Sequence, residues 1–211
     1  NDLVLATHNR GIWILDQANA LQEMTAQVAA EASHLFSVEP AEQVRYREER
    51  AHTGNMIFEG ANPPAAAILD YWLRDEGTAV SITIHDATGA QVATVRGTTQ
   101  RGINRAHWDL RHAWPDTAAS SGRRGGRATG PLVVPGLYTV RLSAAGATSE
   151  QVVRVKEDPR LADVDPTIRA RWTQDLLEIT KTLAGAQARA REVAEAVRKL
   201  DAGEAKPGAS V

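Results

Sequence analysis

Apolar and polar positions change their spacing several times along this chain, and each change predicts a different element. Asn1 to Asp16 reads as an apolar strand, a short turn at Asn9-Arg10-Gly11 and a second apolar strand, which is a β-hairpin pattern. A lone two-stranded hairpin is marginally stable in water. Leu3, Leu5, Ile12, Trp13 and Ile14 would stay exposed unless a sheet or neighbour covered them. The sequence also opens on Asn1 rather than Met. The hairpin over residues 1–17 is therefore expected to complete a sheet built by residues outside this sequence.

Residues 18–53 are mixed, a linker with a short helix. Ala20 to Ala32 predicts that helix, with Leu21, Met24 and Val28 on one face. His34 to Tyr46 reads as extended connector around Pro40, and Arg45 to His52 is highly charged. Residues 54–158 turn to a period of two. Ile68 to Leu73 is a dense apolar strand. Val80, Ile82 and Ile84 alternate with polar neighbours, as do Ala106, Trp108 and Leu110, and later Tyr138, Val140 and Leu142. Gln91 to Val95 returns after a turn at Asp86-Ala87-Thr88-Gly89, and Val153 and Val155 close the set after Ala145-Gly146. About seven short strands punctuated by turns predict a small antiparallel β-sandwich. His112 to Pro135, rich in Gly, Ser, Arg and Pro, interrupts it as a long loop.

Residues 159–203 predict a long helix. Asp165 is placed to cap it and Pro166 suits its first position. Ile168, Trp172, Leu176, Ile179, Leu183, Ala186, Ala190, Val193, Val197 and Leu200 follow in steps of three and four, a one-sided seam near the heptad period. Such a seam needs a partner surface. The preferred reading is intramolecular packing, with association through the helix as the alternative. Residues 204–211 form a Pro/Gly-containing tail. The fold class expected is thus mainly β with α: a hairpin, an antiparallel β-sandwich and a long α-helix.

Composition narrows the function. Among 211 residues the formal net charge is −2, which creates no field favouring nucleic acid or an anionic membrane. No apolar run reaches the ~18 residues a membrane helix needs. There is no cysteine, so disulfides, thiolate catalysis and cysteine-ligated zinc are excluded within this sequence. The Ala- and Arg-rich usage points to a GC-rich bacterial source.

Ala6-Thr7-His8-Asn9-Arg10-Gly11-Ile12-Trp13-Ile14-Leu15-Asp16 resembles the closing hairpin of the last blade in bacterial sortilin-like, BNR-repeat β-propellers, with Asn9 where Gly is usual. Gly102-Ile103-Asn104-Arg105 leading to Trp108-Asp109-Leu110, then Pro135-Gly136-Leu137-Tyr138-Thr139-Val140, resembles the Ig-like module of the flagellar hook-capping protein and of many exported propeller proteins. The resemblance covers about the first three quarters of the chain. It implies an exported protein (periplasmic, cell-surface or secreted) whose main partner is the remainder of a propeller. Larger members are labelled glycosidase-like. In the related xyloglucan-cleaving propellers the catalytic carboxylates lie in the propeller clefts, and no residue here matches those positions.

Several side chains invite chemistry. His107, Asp109 and His112 combine imidazole and carboxylate in a way that suits zinc. The plainer reading has Trp108 and Leu110 in the core with these neighbours facing solvent. Asp70, Asp86, Asp109 and Glu59 are acids for a glycosidase pair, but nothing in their spacing fixes two at one cleft. Arg123 and Arg124, in Ser120 to Arg127, have the chemistry to hold phosphate. They lack interleaved aromatics and a strand-to-helix setting, so a solvated loop is preferred over nucleic-acid binding. Trp13, Trp72, Trp108 and Trp172 fall in apolar patterns that predict core packing, whereas Trp114 opens the long loop and is the best single candidate for ligand contact, with burial under that loop as the preferred alternative. No catalytic residue and no cofactor is expected. The function expected is a non-catalytic bracing and binding module, with a glycan or protein as ligand. The alternative is part of a glycoside hydrolase-like cleft.

Overall fold

A computed structural model of the chain describes residues 1–8, 11–44, 62–113, 130–161 and 165–204. The chain divides into two compact units, one of residues 1–111 and 133–165, the other of 112–132 and 166–211.

In the first unit the opening residues form the expected hairpin, β1 (Leu3–Ala6) and β2 (Ile12–Leu15), with Leu3 opposite Leu15 and Ala6 opposite Ile12. Its turn is closed by Thr7. The Thr7 amide donates to the Gly11 carbonyl at 2.8 Å, and the Thr7 hydroxyl oxygen accepts from the Gly11 amide at 3.1 Å. A Cβ on Gly11 would stand 2.8 Å from that hydroxyl oxygen, which accounts for glycine there. Asn9 and Arg10 lie outside the described residues.

The single helix expected over Ala20 to Ala32 is two, α1 (Asn19–Glu23) and α2 (Ala26–Ala30). Thr25 divides them. Its hydroxyl oxygen accepts from the Val28 amide at 3.2 Å, so it caps a new helix rather than continuing the old one. Met24 and Val28 join Ala20, Phe36 and Trp72 in a small apolar cluster, while Leu21 is exposed. The expected connector also carries two short strands, β3 (Ser33–Leu35) and β4 (Ala41–Glu42).

The β region supplies β5 (Ala67–Leu73), β6 (Val80–His85), β7 (Gln91–Val95), β8 (Gly102–Trp108), β9 (Gly136–Ala144) and β10 (Ala147–Lys156). They make a five-stranded sheet in the order β4-β10-β9-β6-β7 and a three-stranded sheet in the order β3-β5-β8. Pairing is antiparallel except for β4, which runs parallel to β10. Alternation follows burial. Ile82 and Ile84 of β6, Tyr138, Val140 and Leu142 of β9, and Val153 and Val155 of β10 are buried while their neighbours are more open. β5 differs, being buried almost throughout, as expected for a strand covered on both faces. The two-residue loop between β9 and β10 puts Ala145 and Gly146 at φ +53° and +76°, the positive angles a tight hairpin turn requires.

In the second unit, α3 (Pro166–Glu204) runs for 39 residues, about 58 Å at ~1.5 Å per residue. Thr173, Thr180 and Ala184 are its buried positions among those described. The apolar seam is not covered: Trp172 is 63% exposed, and Leu176, Ile179, Leu183, Val193, Val197 and Leu200 are likewise open. No helix among the described residues is long and apolar enough to cross a membrane.

Candidate hairpin-anchoring site

The outward positions of β5 are Ile68, Asp70 and Trp72, and each is taken up differently. Trp72 packs against the small cluster and donates its indole N–H to the Glu31 carbonyl at 3.2 Å. Asp70 stands directly opposite Arg105 in the β5–β8 ladder. Arg105 Nε donates to Asp70 Oδ1 and Nη2 to Oδ2, both at 2.8 Å, a two-pronged charged pair. The same guanidinium reaches on to the hairpin exit. Nη1 donates to the Asp16 carbonyl at 2.8 Å and Nη2 to the Gln17 carbonyl at 2.9 Å. The Asp70 side chain is 6% exposed and that of Arg105 28%. The hydrogen bond to Asp70, helped by the charges of Asp70 and Asp16 and opposed by burial, holds the guanidinium above its ordinary pKa, so it is permanently charged.

A second set of bonds fixes the same corner. Gln17 sits at φ +53°, and its amide donates to Asp2 Oδ1 at 3.0 Å. The Ala18 amide donates to the Asn1 carbonyl at 2.7 Å. Asn1 Nδ2 donates to Glu39 Oε1 at 2.9 Å, and Asn19 Nδ2 donates to the same oxygen at 3.0 Å. The base of the hairpin is thus tied to the three-stranded sheet and its flanking segment. Its body is bare. All eight strand residues are exposed, with Ile12 at 70% and Trp13 at 69%, so neither face of the ribbon is covered.

The motif around Arg105 has a physical account at each position. Gly102 takes φ +106°. Asn104, buried, staples the β7–β8 connection: Oδ1 accepts from the Thr98 hydroxyl at 2.6 Å and the Gln100 amide at 3.2 Å, while Nδ2 donates to the Gln100 and Gly102 carbonyls. Arg105 then grips the hairpin. Trp108, 1% exposed, packs edge-on against Tyr138 and donates its indole N–H to the Arg111 carbonyl at 3.0 Å. Tyr138 donates its hydroxyl to the Val134 carbonyl at 2.6 Å, and burial, with a smaller effect from Asp86, raises its pKa to about 12.

Trp114, Arg123 and Arg124 lie outside the described residues, as does Glu59. His107 and Asp109 are exposed, and Asp109 Oδ1 accepts from the Arg111 amide at 3.3 Å. His112 is half-buried in the second unit, its amide donating to the Pro131 carbonyl at 2.9 Å. Among the described residues no three His, Asp or Glu side chains gather as a metal site would require. Of the acids, Asp70 is engaged by Arg105, and Asp86 holds its turn by accepting from the Thr88 and Ala90 amides at 2.9 and 3.0 Å. Core packing holds for Trp108 and, in part, for Trp72, but Trp13 and Trp172 are exposed. Periodicity marks a face that repels water and does not supply what covers it. What sequence reading missed is the pairing of Asp70 with Arg105. The available signal was an acid inside a dense apolar strand, a position that demands a partner.

No protein-family model and no curated protein matches this chain.

Proposed function

We propose that this chain closes a β-propeller and braces it: the hairpin is the last blade's inner or outer pair of strands, and the two-sheet body is an Ig-like sandwich that holds it in a fixed direction. The observation that carries this is the contrast at Arg105. A half-buried guanidinium, charge-paired with the buried Asp70, grips the two carbonyls where the hairpin leaves the body, yet the hairpin is apolar and open on both faces. A propeller blade is covered by neighbouring blades on both faces, so such a ribbon suits that position. The Ig-like assignment is supported by the alternating burial of two sheets and by Tyr138, whose hydroxyl bonds the backbone four residues upstream in the manner of a tyrosine corner. On this reading the module is exported and has no catalytic group of its own, and any hydrolase activity belongs to the propeller.

The test is to add a polypeptide supplying the remaining blades of a sortilin-like propeller and to follow amide hydrogen exchange. Residues 3–15 are expected to exchange rapidly in the chain alone and to become protected on addition. Continued rapid exchange would remove the propeller reading. Xyloglucan and other β-glucan oligosaccharides are offered in parallel, and turnover by the chain alone would overturn the assignment of a non-catalytic module.

A further inference from the structure

The exposed seam of α3 has an internal symmetry. Written from Leu176, its positions are Leu176, Ile179, Leu183, Ala186, Ala190, Val193, Val197 and Leu200, a strict alternation of three and four. Turned end over end about a point level with residue 188, the list superimposes on itself in register. Leu176 falls on Leu200, Ile179 on Val197, Leu183 on Val193, and Ala186 on Ala190. Large residues meet large ones and the two alanines meet each other. We infer that α3 pairs with α3 of a second copy of this chain as an antiparallel two-helix coiled coil centred on Ala186 and Ala190.

Three considerations favour this occupant and this direction. In heptad terms Leu176, Leu183, Ala190 and Val197 are a positions, and Ile179, Ala186, Val193 and Leu200 are d positions. Antiparallel coils stack a against d of the partner, and every layer of the match above does so. A parallel dimer would instead prefer β-branched residues at a and Leu at d, an order that Val197 and Leu200 follow, whereas Leu176 and Leu183 stand at a and Ile179 and Val193 at d. Antiparallel pairing also sets the helix macrodipoles against one another favourably. The area is adequate. All eight seam residues from Leu176 to Leu200 are exposed, so the face is open over seven half-heptads, a length that can approach the ~800 Å² per partner of a standard stable interface. The central alanine layers let the helices approach to the short end of the ~8–10 Å interaxial range. At the dyad Arg189 meets its own counterpart on one flank, where the exposed guanidiniums can part, while the other flank, with Thr173, Thr180, Ala184 and the Gln187 side-chain oxygen, is already buried within the chain.

Sedimentation velocity on the full chain over a concentration series is the first measurement. A species of twice the 22.8 kDa chain mass is expected at micromolar concentration. Leu183→Glu is expected to weaken the dimer about 100-fold or more, since it places a charge in two symmetry-related layers. Val193→Glu, the opposite member of those layers, repeats the test should the first variant lose helix by circular dichroism. Direction is read from a spin label on Lys199→Cys, an exposed site in a chain with no other cysteine. Antiparallel pairing puts the two labels about 33 Å apart along the axis, because 199 lies level with 177 of the second copy. A monomer at all concentrations overturns the inference. So does a dimer with labels within about 20 Å, which would be parallel, or a dimer indifferent to both glutamates and abolished by Trp13→Glu, which would be held by the hairpin.

Discussion

Arg105→Ala tests the anchoring geometry most directly. The change leaves Asp70, with a side chain 6% exposed, as an uncompensated buried charge, and it frees the Asp16 and Gln17 carbonyls. Breaking a buried ion pair by removing one partner costs about 3–5 kcal/mol, and the 28% exposure of Arg105 places this pair near the lower end, about 3 kcal/mol. Asp70→Asn is not its equal. It strands the more exposed member, which water can reach, and the amide oxygen still accepts one bond from the guanidinium, so about 1–2 kcal/mol is expected. Urea unfolding resolves the difference: with a slope of ~2 kcal/mol per molar, Arg105→Ala lowers the midpoint by about 1.5 M and Asp70→Asn by about 0.5–1 M. The double variant Arg105→Met with Asp70→Asn should recover part of the loss through a coupling of about 1–2 kcal/mol. Hydrogen exchange adds a local readout, since Arg105→Ala should speed exchange at Gln17 and Ala18 while the β9–β10 amides stay protected in proportion to global stability. Equal costs for the two single variants, or a loss under 1 kcal/mol for Arg105→Ala, would refute the argument that a buried carboxylate depends on this arginine.

Three further outcomes follow from local geometry. Ala145→Gly is expected to raise stability by about 1 kcal/mol, because Ala145 occupies φ +53° in a two-residue turn; a shift in thermal midpoint reports it. Gly185→Ala is expected to stabilise α3 by roughly 0.8–1 kcal/mol, since a Cβ there meets nothing within 4 Å, and the helical signal against temperature measures it. Tyr138→Phe removes the bond to the Val134 carbonyl and is expected to cost about 1–2 kcal/mol. The folded-state pKa of Tyr138, about 12, lies above the unfolded value of ~10, so the advantage of tyrosine is complete below pH 10 and declines as pH rises toward 12; a phenolate absorbance component near pH 12 should vanish in the variant.

The period-two stretches were legible because one face of each strand is buried and the other is not, as in β6 and β9. The long helix was legible from its seam, and its start from Pro166. Elements too short to show a period escaped: β3 has three residues and β4 two, and their strand character comes from β5 and β10 rather than from their own sequence. The break between α1 and α2 turned on one hydroxyl at Thr25, a cap signal outweighed by an otherwise continuous helical pattern. Pairing of Asp70 with Arg105 depends on the register of two strands joined through β6 and β7, which local spacing does not encode. The acid alone was visible.

The distribution of apolar surface separates stability from recognition in this chain. Leu69, Tyr71, Ile82, Ile84, Trp108, Val140 and Leu142 are all within 1% of complete burial, so the sheets of the first unit hold their own core. Covering the hairpin would add little to that core, because its eight strand residues are all exposed and contribute nothing to it. Yet the hairpin's Ile12, Trp13 and Ile14 and the helix's Trp172 and Ile179 are each more than 60% exposed. Large apolar side chains held open in ordered elements are costly to solubility and are retained where another surface meets them. The hydrogen bonds reinforce the distinction. Arg105 fixes the direction in which the hairpin leaves and makes no bond to β1 or β2 themselves, so the strands remain free to pair at both edges. Anchoring the exit while leaving the ribbon bare is what the proposed role requires, since a hairpin that joins a sheet supplied by other blades needs a fixed direction and open faces.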